Sequence, residues 1–346
     1  MHVYGLEKPY TFFDREEPMP QSLLPQQVLV KVSHIGLCGS DLHLYKGTYS
    51  GPQSYPILFG HEWSGEVVRC GEGVQGLRPG AIVTGDCSRY CGECALCAQD
   101  KNLCQNIEKF GITMDGASAQ YILRDARYLY EAPTDIDRAL LSLAEPIAVA
   151  LHHLKKIATV IREDLTKKRI LVYGGGTIGQ ACIVLLLRFF GVQQVDFFDI
   201  IPYRCEVAAQ LGAHVVTSTQ LIPPESDSYY DAYNATVYDV ILETTGSAQV
   251  FVNAVRLLRP LGVLGSLGMM AEALLPQKLV VMKSLTLVGS IGGTGEFSEV
   301  IPFIRQNMSA FSRVAKQIFP IEEFSQAFET AMQTDQAIKV ILSVGE

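Results

Sequence analysis

Four cysteines fall within fourteen residues, as Cys91-x2-Cys94-x2-Cys97-x6-Cys104. Four thiolates separated by short turns can close tetrahedrally around one zinc ion. Such a site leaves no open position for a substrate, so its job is structural: it holds together a lobe without a core of its own. Iron–sulfur clusters use similar spacings, and four free thiols in a loop is the bland alternative. The clustering favours a metal. Seven of the nine cysteines lie in the first 104 residues, and in a reducing compartment cysteines bind metal more often than they pair.

A second constellation is Gly174-x-Gly176-x-x-Gly179. The pattern is weak alone, but here it follows the apolar run Arg169–Tyr173 and opens a helix-like stretch, Gln180–Phe190. The glycines permit a tight turn and close approach of backbone to a pyrophosphate, and the helix start supplies N–H groups. Asp199 ends the next strand-like run, twenty residues after Gly179. A carboxylate there accepts from the adenosine ribose hydroxyls and repels a 2′-phosphate, which favours NAD over NADP. Arg204 keeps NADP open, because a nearby guanidinium could accept that phosphate. A third set is dispersed: Cys38, His61, Glu62 and Glu145 are all possible zinc ligands. Each alone reads equally well as a buried cysteine, a core histidine or a surface carboxylate.

These residues need elements to position them. The first third is rich in Gly, Pro and short β-type runs: Val28–Ile35, Gly65–Val68 and Ala81–Thr84. From Pro146 onward, strand and helix alternate. Helix-like Ile147–Ile161, Gln180–Phe190 and Arg204–Leu211 are interleaved with strand-like Arg169–Tyr173, Val195–Phe198, His214–Thr217, Tyr238–Glu243 and Val263–Leu267. That alternation predicts a parallel sheet covered on both faces. Leu221–Val237 reads as a surface loop replacing regular structure. Helices at Phe297–Asn307 and Glu322–Gln333 and a strand at Ala337–Val344 complete the reading.

Together the motifs resemble the zinc-dependent medium-chain dehydrogenase/reductase (alcohol dehydrogenase) family, and most of all its sorbitol/polyol and threonine dehydrogenase branch. The stretches that carry the resemblance are Gly36-Leu37-Cys38-Gly39-Ser40-Asp41-Leu42-His43, Gly60-His61-Glu62-Trp63-Ser64-Gly65-Glu66-Val67, the four-cysteine lobe and Tyr173-Gly174-Gly175-Gly176-Thr177-Ile178-Gly179. Glu145-Pro146-Ile147-Ala148-Val149-Ala150-Leu151-His152 is similar to the polyol branch in particular.

The resemblance implies an α/β fold: a Rossmann doubly wound parallel sheet inserted in a mostly-β GroES-like catalytic domain. Residues 1–147 would form the catalytic domain with a structural-zinc lobe at 87–107. Residues 148–288 would bind NAD, and 289–346 would return to the catalytic domain. It implies two zinc ions per chain. One is catalytic, on Cys38, His61, Glu62 and Glu145, with the two carboxylates binding directly or through water. The other is structural, on Cys91, Cys94, Cys97 and Cys104. Ser40 matches the hydroxyl beside the substrate oxygen, and His43 a relay position. Gly174, Gly176, Thr177, Ile178, Gly179, Asp199 and Arg204 match the cofactor site.

Two stretches depart from the pattern. Gly80-Ala81-Ile82-Val83 lacks the family's Asp after the glycine, which implies local repacking without loss of activity. Val288-Gly289-Ser290-Ile291 lacks the Arg that helps sorbitol dehydrogenases hold a polyol. Tyr45, Phe59, Phe110 and Ile112 are candidate substrate-pocket liners that could equally be core.

The implied activity is reversible oxidation of a secondary alcohol (a polyol, sugar alcohol or related diol) to a ketone with hydride transfer to NAD. A threonine, amino-sugar or cyclitol dehydrogenase is the alternative within the family, and a non-catalytic NAD(H)-binding protein the alternative outside it. Composition narrows the partners. Lys and Arg number 28 and Asp and Glu 36, a formal net charge of −8, which argues against nucleic acid. Met1–Lys8 lacks the basic-then-apolar order of a secretory leader, and no apolar run approaches a membrane span. The expectation is a cytoplasmic homodimer or homotetramer acting on a small-molecule alcohol or ketone.

Overall fold

The computed structural model describes residues 1–161, 164–223, 228–234 and 236–345. The chain divides into two compact units: Met1–Ala148 with Gly292–Glu346, and Val149–Ile291.

The first unit is built on β-strands. Its larger sheet runs Leu129–Ala132, Ile82–Gly85, Glu62–Cys70, Gln27–Gly36, Val340–Ser343 and Gln317–Pro320, with Tyr121–Asp125 also pairing Gln27–Gly36. A smaller sheet pairs His2–Lys8 with Thr11–Glu16 and Ile57–Leu58. The long strand Gln27–Gly36 holds the centre because its β-branched Val28, Val30, Val32 and Ile35 are fully buried. They pack with Trp63, Val67, Phe59 and Phe328 in one core. The C-terminal strand adds antiparallel to this centre, Leu342 opposite Ile35, and so carries the last residues of the chain beside the first motif. Ala81, which stands where the family's Asp was expected, is buried, and Val67 N–H donates to its carbonyl at 2.9 Å.

The second unit is a six-stranded parallel sheet in the order His214–Val215, Val195–Phe198, Ile170–Tyr173, Tyr238–Glu243, Leu258–Ser266, Thr286–Gly289. Numbered within the unit this is the doubly wound 3-2-1-4-5-6 order. Ile170–Tyr173 and Tyr238–Glu243 are buried at every residue, as strands covered on both faces must be. Helices Thr177–Arg188, Pro202–Leu211 and Ala248–Leu257 supply the cover. The reading of Leu221–Val237 as a loop without regular structure is corrected in part: Tyr229–Asn234 is helical. Ser228 starts it, its Oγ 3.1 Å from Asp231 N and 2.8 Å from Asp231 Oδ2. Ala232 ties it to the core. The Ser-x-x-Asp spacing was the available signal. Residues 224–227 and 235 of that loop lie outside the described residues.

One buried histidine in this unit has a measurable consequence. His153 is fully buried, with Nδ1 2.9 Å from Ser290 Oγ and Nε2 without a partner. Burial, then Lys156 and His152, push its pKa from 6.5 down to about 4. A folded-state value below the unfolded one means that the stability is complete above pH 6.5 and is lost as pH falls toward 4, up to about 3 kcal/mol. His153→Gln keeps a partner for Ser290 and removes the titration. Amide exchange at Val240 and Leu242 should therefore accelerate between pH 6.5 and 4, after correction for intrinsic rates, in the parent but much less in the variant.

Candidate active site and metal centres

The first cluster begins at a helix cap. Cys38 is the N-cap of helix Gly39–Lys46 in a reciprocal capping box with Asp41. Asp41 is fully buried and does two things. Its Oδ2 accepts from Cys38 N at 2.8 Å, and its Oδ1 from Gly60 N at 3.2 Å. One carboxylate thus ties the Cys38 turn to the segment that carries His61 and Glu62. Ligand atoms of Cys38, His61 and Glu62 lie within 4.8 Å of one another.

Burial works against a charged His61, yet the Cys38 sulfur beside it, its hydrogen bond to that sulfur, and Asp41 and Glu145 outweigh burial and push it up to about 10. The pocket therefore attracts positive charge. His61 Nδ1 is buried without a hydrogen-bond partner. A thiol, an imidazole and a carboxylate whose ligand atoms meet, with the imidazole Nδ1 facing Asp41 Oδ1 at 4.0 Å, is a donor set that fits zinc.

Glu145 does not join these three as a fourth close ligand. It sits in the first turn of helix Ala144–Ile161 and hydrogen-bonds the thiol of Cys87. Burial raises both groups, Cys87 well above the usual thiol value. Cys87 Sγ also lies 3.4 Å from Ser88 Oγ. Although Cys87 lies four residues before Cys91, its thiol meets Glu145 and not the lobe's sulfurs.

Three contributors had no assigned place in the sequence reading. Asp41 had a legible signal in its capping spacing. Lys339 had none: it is buried, donates Nζ to Leu37 O at 2.9 Å and pairs with Glu62 Oε2. Burial alone would lower it, but Glu62, Cys38 and Asp41 hold it above the usual lysine value. Tyr49 is half-buried where it feels both Cys38 and Cys87. Of the candidate liners, Phe59, Phe110 and Ile112 are buried in the core, and Tyr45 is half-buried against it. Tyr45 stacks on Phe12 at 4.7 Å, Phe59 meets Phe328 at 5.1 Å, and Phe110 lies beneath the Arg124 guanidinium at 4.2 Å. Ile112 is buried with Leu6, Leu44 and Ile57. His43 is exposed, its Nδ1 2.9 Å from Thr48 Oγ1, and Ser40 is partly exposed one residue into the same helix.

In the lobe, Cys91, Cys94, Cys97 and Cys104 also place their sulfurs within 4.8 Å of one another. Cys91 Sγ is 3.5 Å from Cys104 Sγ and 3.9 Å from Cys97 Sγ, close to the roughly 3.8 Å edge of a tetrahedron with zinc–sulfur bonds. None is in a disulfide. Backbone N–H groups point at the sulfurs: Cys97 N at Cys94 Sγ, 3.4 Å, and Cys91 N and Asn106 N at Cys104 Sγ, both 3.3 Å. Such bonds from Gln105 and Cys97 pull Cys94 down to about 6, while burial pushes Cys97 up to about 12. Four sulfurs at these separations, with N–H donors stabilising thiolates, fit one tetrahedral zinc.

In the second unit, Gly174 has φ +111°, and a Cβ there would stand 2.7 Å from Thr244 Oγ1. A Cβ on Gly179 would stand 1.9 Å from Gly174 O. Both positions therefore require glycine. Gly176 caps the helix that Thr177 and Ile178 begin. Asp199 closes the turn: Oδ2 accepts from Gly175 N at 2.6 Å, Oδ1 from Ile201 N at 2.8 Å, and Arg204 Nη1 lies 3.6 Å from Oδ2.

This combination, a β-sheet unit with a thiol–imidazole–carboxylate pocket and a parallel-sheet unit with a glycine turn, defines a two-domain dehydrogenase. Residues 24–134 match the alcohol dehydrogenase GroES-like domain and residues 177–306 the zinc-binding dehydrogenase domain. The chain belongs to the zinc-dependent alcohol dehydrogenase family, and is an oxidoreductase with the α/β GroES-like plus Rossmann fold. It is 28% identical to a sorbitol dehydrogenase of Halalkalibacterium halodurans, over 95% of this chain and 94% of that one. It is 29% identical to an L-threonine 3-dehydrogenase of Coxiella burnetii, over 92% of each. An Escherichia coli CFT073 alcohol dehydrogenase solved with NADH superposes with a TM-score of 0.85 at 25% identity, covering 99% of both chains. No helix among the described residues is long and apolar enough to cross a membrane.

Proposed function

We propose that the protein is an NAD-linked zinc dehydrogenase that interconverts a secondary alcohol, of the polyol, sugar-alcohol or related diol class, and its ketone. The observation that carries this reading is the convergence of Cys38, His61 and Glu62 on one buried point. Cys38, His61 and Glu62 would hold a zinc ion there, with Glu145 as a further carboxylate near it, and the ion would supply Lewis acidity toward the substrate oxygen. Cys91, Cys94, Cys97 and Cys104 hold a second, structural zinc. Asp41 sets the spacing of Cys38 against His61. The Ser40 hydroxyl accepts the alcohol proton as it releases its own toward the exposed His43 imidazole, which passes a proton to water. The glycine turn and the start of helix Thr177–Arg188 bind the pyrophosphate of NAD, and Asp199 the adenosine ribose.

Absence of an Arg at Val288–Ile291 favours a substrate other than sorbitol, and the likeness to L-threonine 3-dehydrogenases adds hydroxy amino acids to the candidates. The test is NAD reduction across polyols, amino-sugar alcohols, cyclitols, 2,3-diols and hydroxy amino acids, at two zincs per chain by metal analysis. NADH binding without turnover of any of them would instead support a non-catalytic binding protein. For the cofactor, Asp199→Ala should raise KM for NAD by about tenfold or more and leave KM for NADP unchanged or lower. Equal effects on both would discredit Asp199 as the discriminating residue. The variant also loses the bond to Gly175 N, so its unfolding midpoint must be followed alongside.

A further inference from the structure

We propose that Glu243, a fully buried carboxylate assigned no role above, is a positioning residue that sets the dinucleotide-binding edge of the parallel sheet. The proposal rests on the NAD reading. Glu243 ends the strand Tyr238–Glu243, opposite Tyr173 on one side and Ser266 on the other. It therefore stands at the carboxyl ends of three adjacent strands, where doubly wound sheets bind their ligands. A carboxylate without exposure is costly in such a place, and burial does raise its pKa. A residue of that kind needs a reason.

Its contacts supply one. Oε1 accepts from Thr245 N at 2.7 Å, Gly246 N at 3.0 Å and the Thr245 hydroxyl. Three donors from one turn converge on one oxygen and fold residues 244–247 back onto the strand end. The neighbouring Thr244 then reaches the other way: its Oγ1 donates to Gly174 O at 3.0 Å and its N–H to Tyr173 O at 3.0 Å. The turn that Glu243 holds is thus the floor of the glycine turn. On the other side, the Glu243 carbonyl accepts from Leu267 N at 2.9 Å and Gly268 N at 3.1 Å. Gly268 lies so close that a Cβ there would be 2.1 Å from Gly246 N and 2.7 Å from Glu243 Oε2. The carboxylate thus fastens the turn after Glu243, which Thr244 joins to the loop after Tyr173, and the main-chain carbonyl of the same residue holds the loop after Ser266. Glu243 Oε2 makes no hydrogen bond, so a glutamine can keep the Oε1 contacts, the expected penalty being a buried amide without an acceptor, which falls on stability.

The loops rather than the sheet carry the cofactor contacts, so loosening them should act on binding more than on folding. The experiment is NADH titration by fluorescence on the intact chain, with unfolding midpoint and zinc content measured in parallel. Glu243→Ala is expected to raise the NADH dissociation constant by about tenfold or more, with zinc content unchanged. Glu243→Gln should bind within about threefold of the parent, a rescue that loss of burial or volume alone would not give. Should Glu243→Ala fail to fold, Thr245→Val removes one donor without emptying the site, and is expected to weaken NADH by about threefold to tenfold. Parental NADH affinity in Glu243→Ala, or in Thr245→Val where the former does not fold, overturns the proposal alone. Failure of the parent protein to bind NADH or NADPH overturns the cofactor reading and this proposal together.

Discussion

Replacing Cys38 by serine is expected to lower turnover by about a thousandfold or more, several kcal/mol of transition-state stabilisation, and to reduce zinc from two ions per chain to one. The fold should survive. Cys38 is the N-cap of helix Gly39–Lys46 in a capping box with Asp41, and serine is among the best N-cap residues. Cys38 N–H keeps its 2.8 Å bond to Asp41 Oδ2 whatever the side chain. What disappears is the soft, readily ionised donor, because an alcohol at neutral pH is a poor zinc ligand beside a thiolate. Metal analysis and circular dichroism on the same sample separate the outcomes. Full activity with one zinc per chain would refute metal-assisted chemistry at this pocket. Two zincs with no activity would mean that Cys38 is not required for metal. Loss of both zincs with loss of structure would mean that the lobe and the pocket depend on one another.

Much of this was readable because the residues concerned are local to a motif. The four cysteines close on one another because short turns leave them nowhere else to go, and the glycine turn is fixed by steric demands at Gly174 and Gly179. The parallel sheet follows from alternation, since parallel strands need helical crossovers, whereas the order of its strands does not. The misses share a different physics. Lys339 meets Glu62 across 277 positions of sequence, and only the pairing of the C-terminal strand with Gln27–Gly36 brings them together. Nothing in the local composition around Lys339 announces that. Tyr45, Phe59, Phe110 and Ile112 neighbour site motifs and read equally well as liners or core; side-chain direction buries the last three in the core and leaves Tyr45 half-buried against it. The helix expected from Ile147 begins three residues earlier, at Ala144, so Glu145 lies in its first turn; its carboxylate turns to Cys87, a contact that depends on how helix and loop approach.

The pairing of Lys339 with Glu62 leads to the second large effect. In Lys339→Met the carboxylate of Glu62 is left buried without its cation, and the metal-free protein should lose about 3–5 kcal/mol. The single tryptophan, Trp63, is buried in the first-unit core, so its fluorescence during denaturation reports this unit and not the other. Two controls fix the cause. Glu62→Gln in the Lys339→Met background removes the orphaned charge and should recover most of the loss, because breaking a buried pair harms far more than replacing both members. Loading zinc should also recover it, since a divalent cation beside Glu62 replaces the missing ammonium. The same argument gives the pair a functional sense. While Lys339 holds Oε2, Glu62 is a restrained donor at the pocket; without Lys339 it is free to bind the metal tightly and to compete with substrate. Zinc-loaded Lys339→Met should therefore be as stable as the parent yet slower, with a raised KM for the alcohol. A variant that is equally unstable with and without zinc would make Lys339 a packing residue only. Unchanged stability in the metal-free protein would mean that the Lys339–Glu62 pair contributes nothing to the fold.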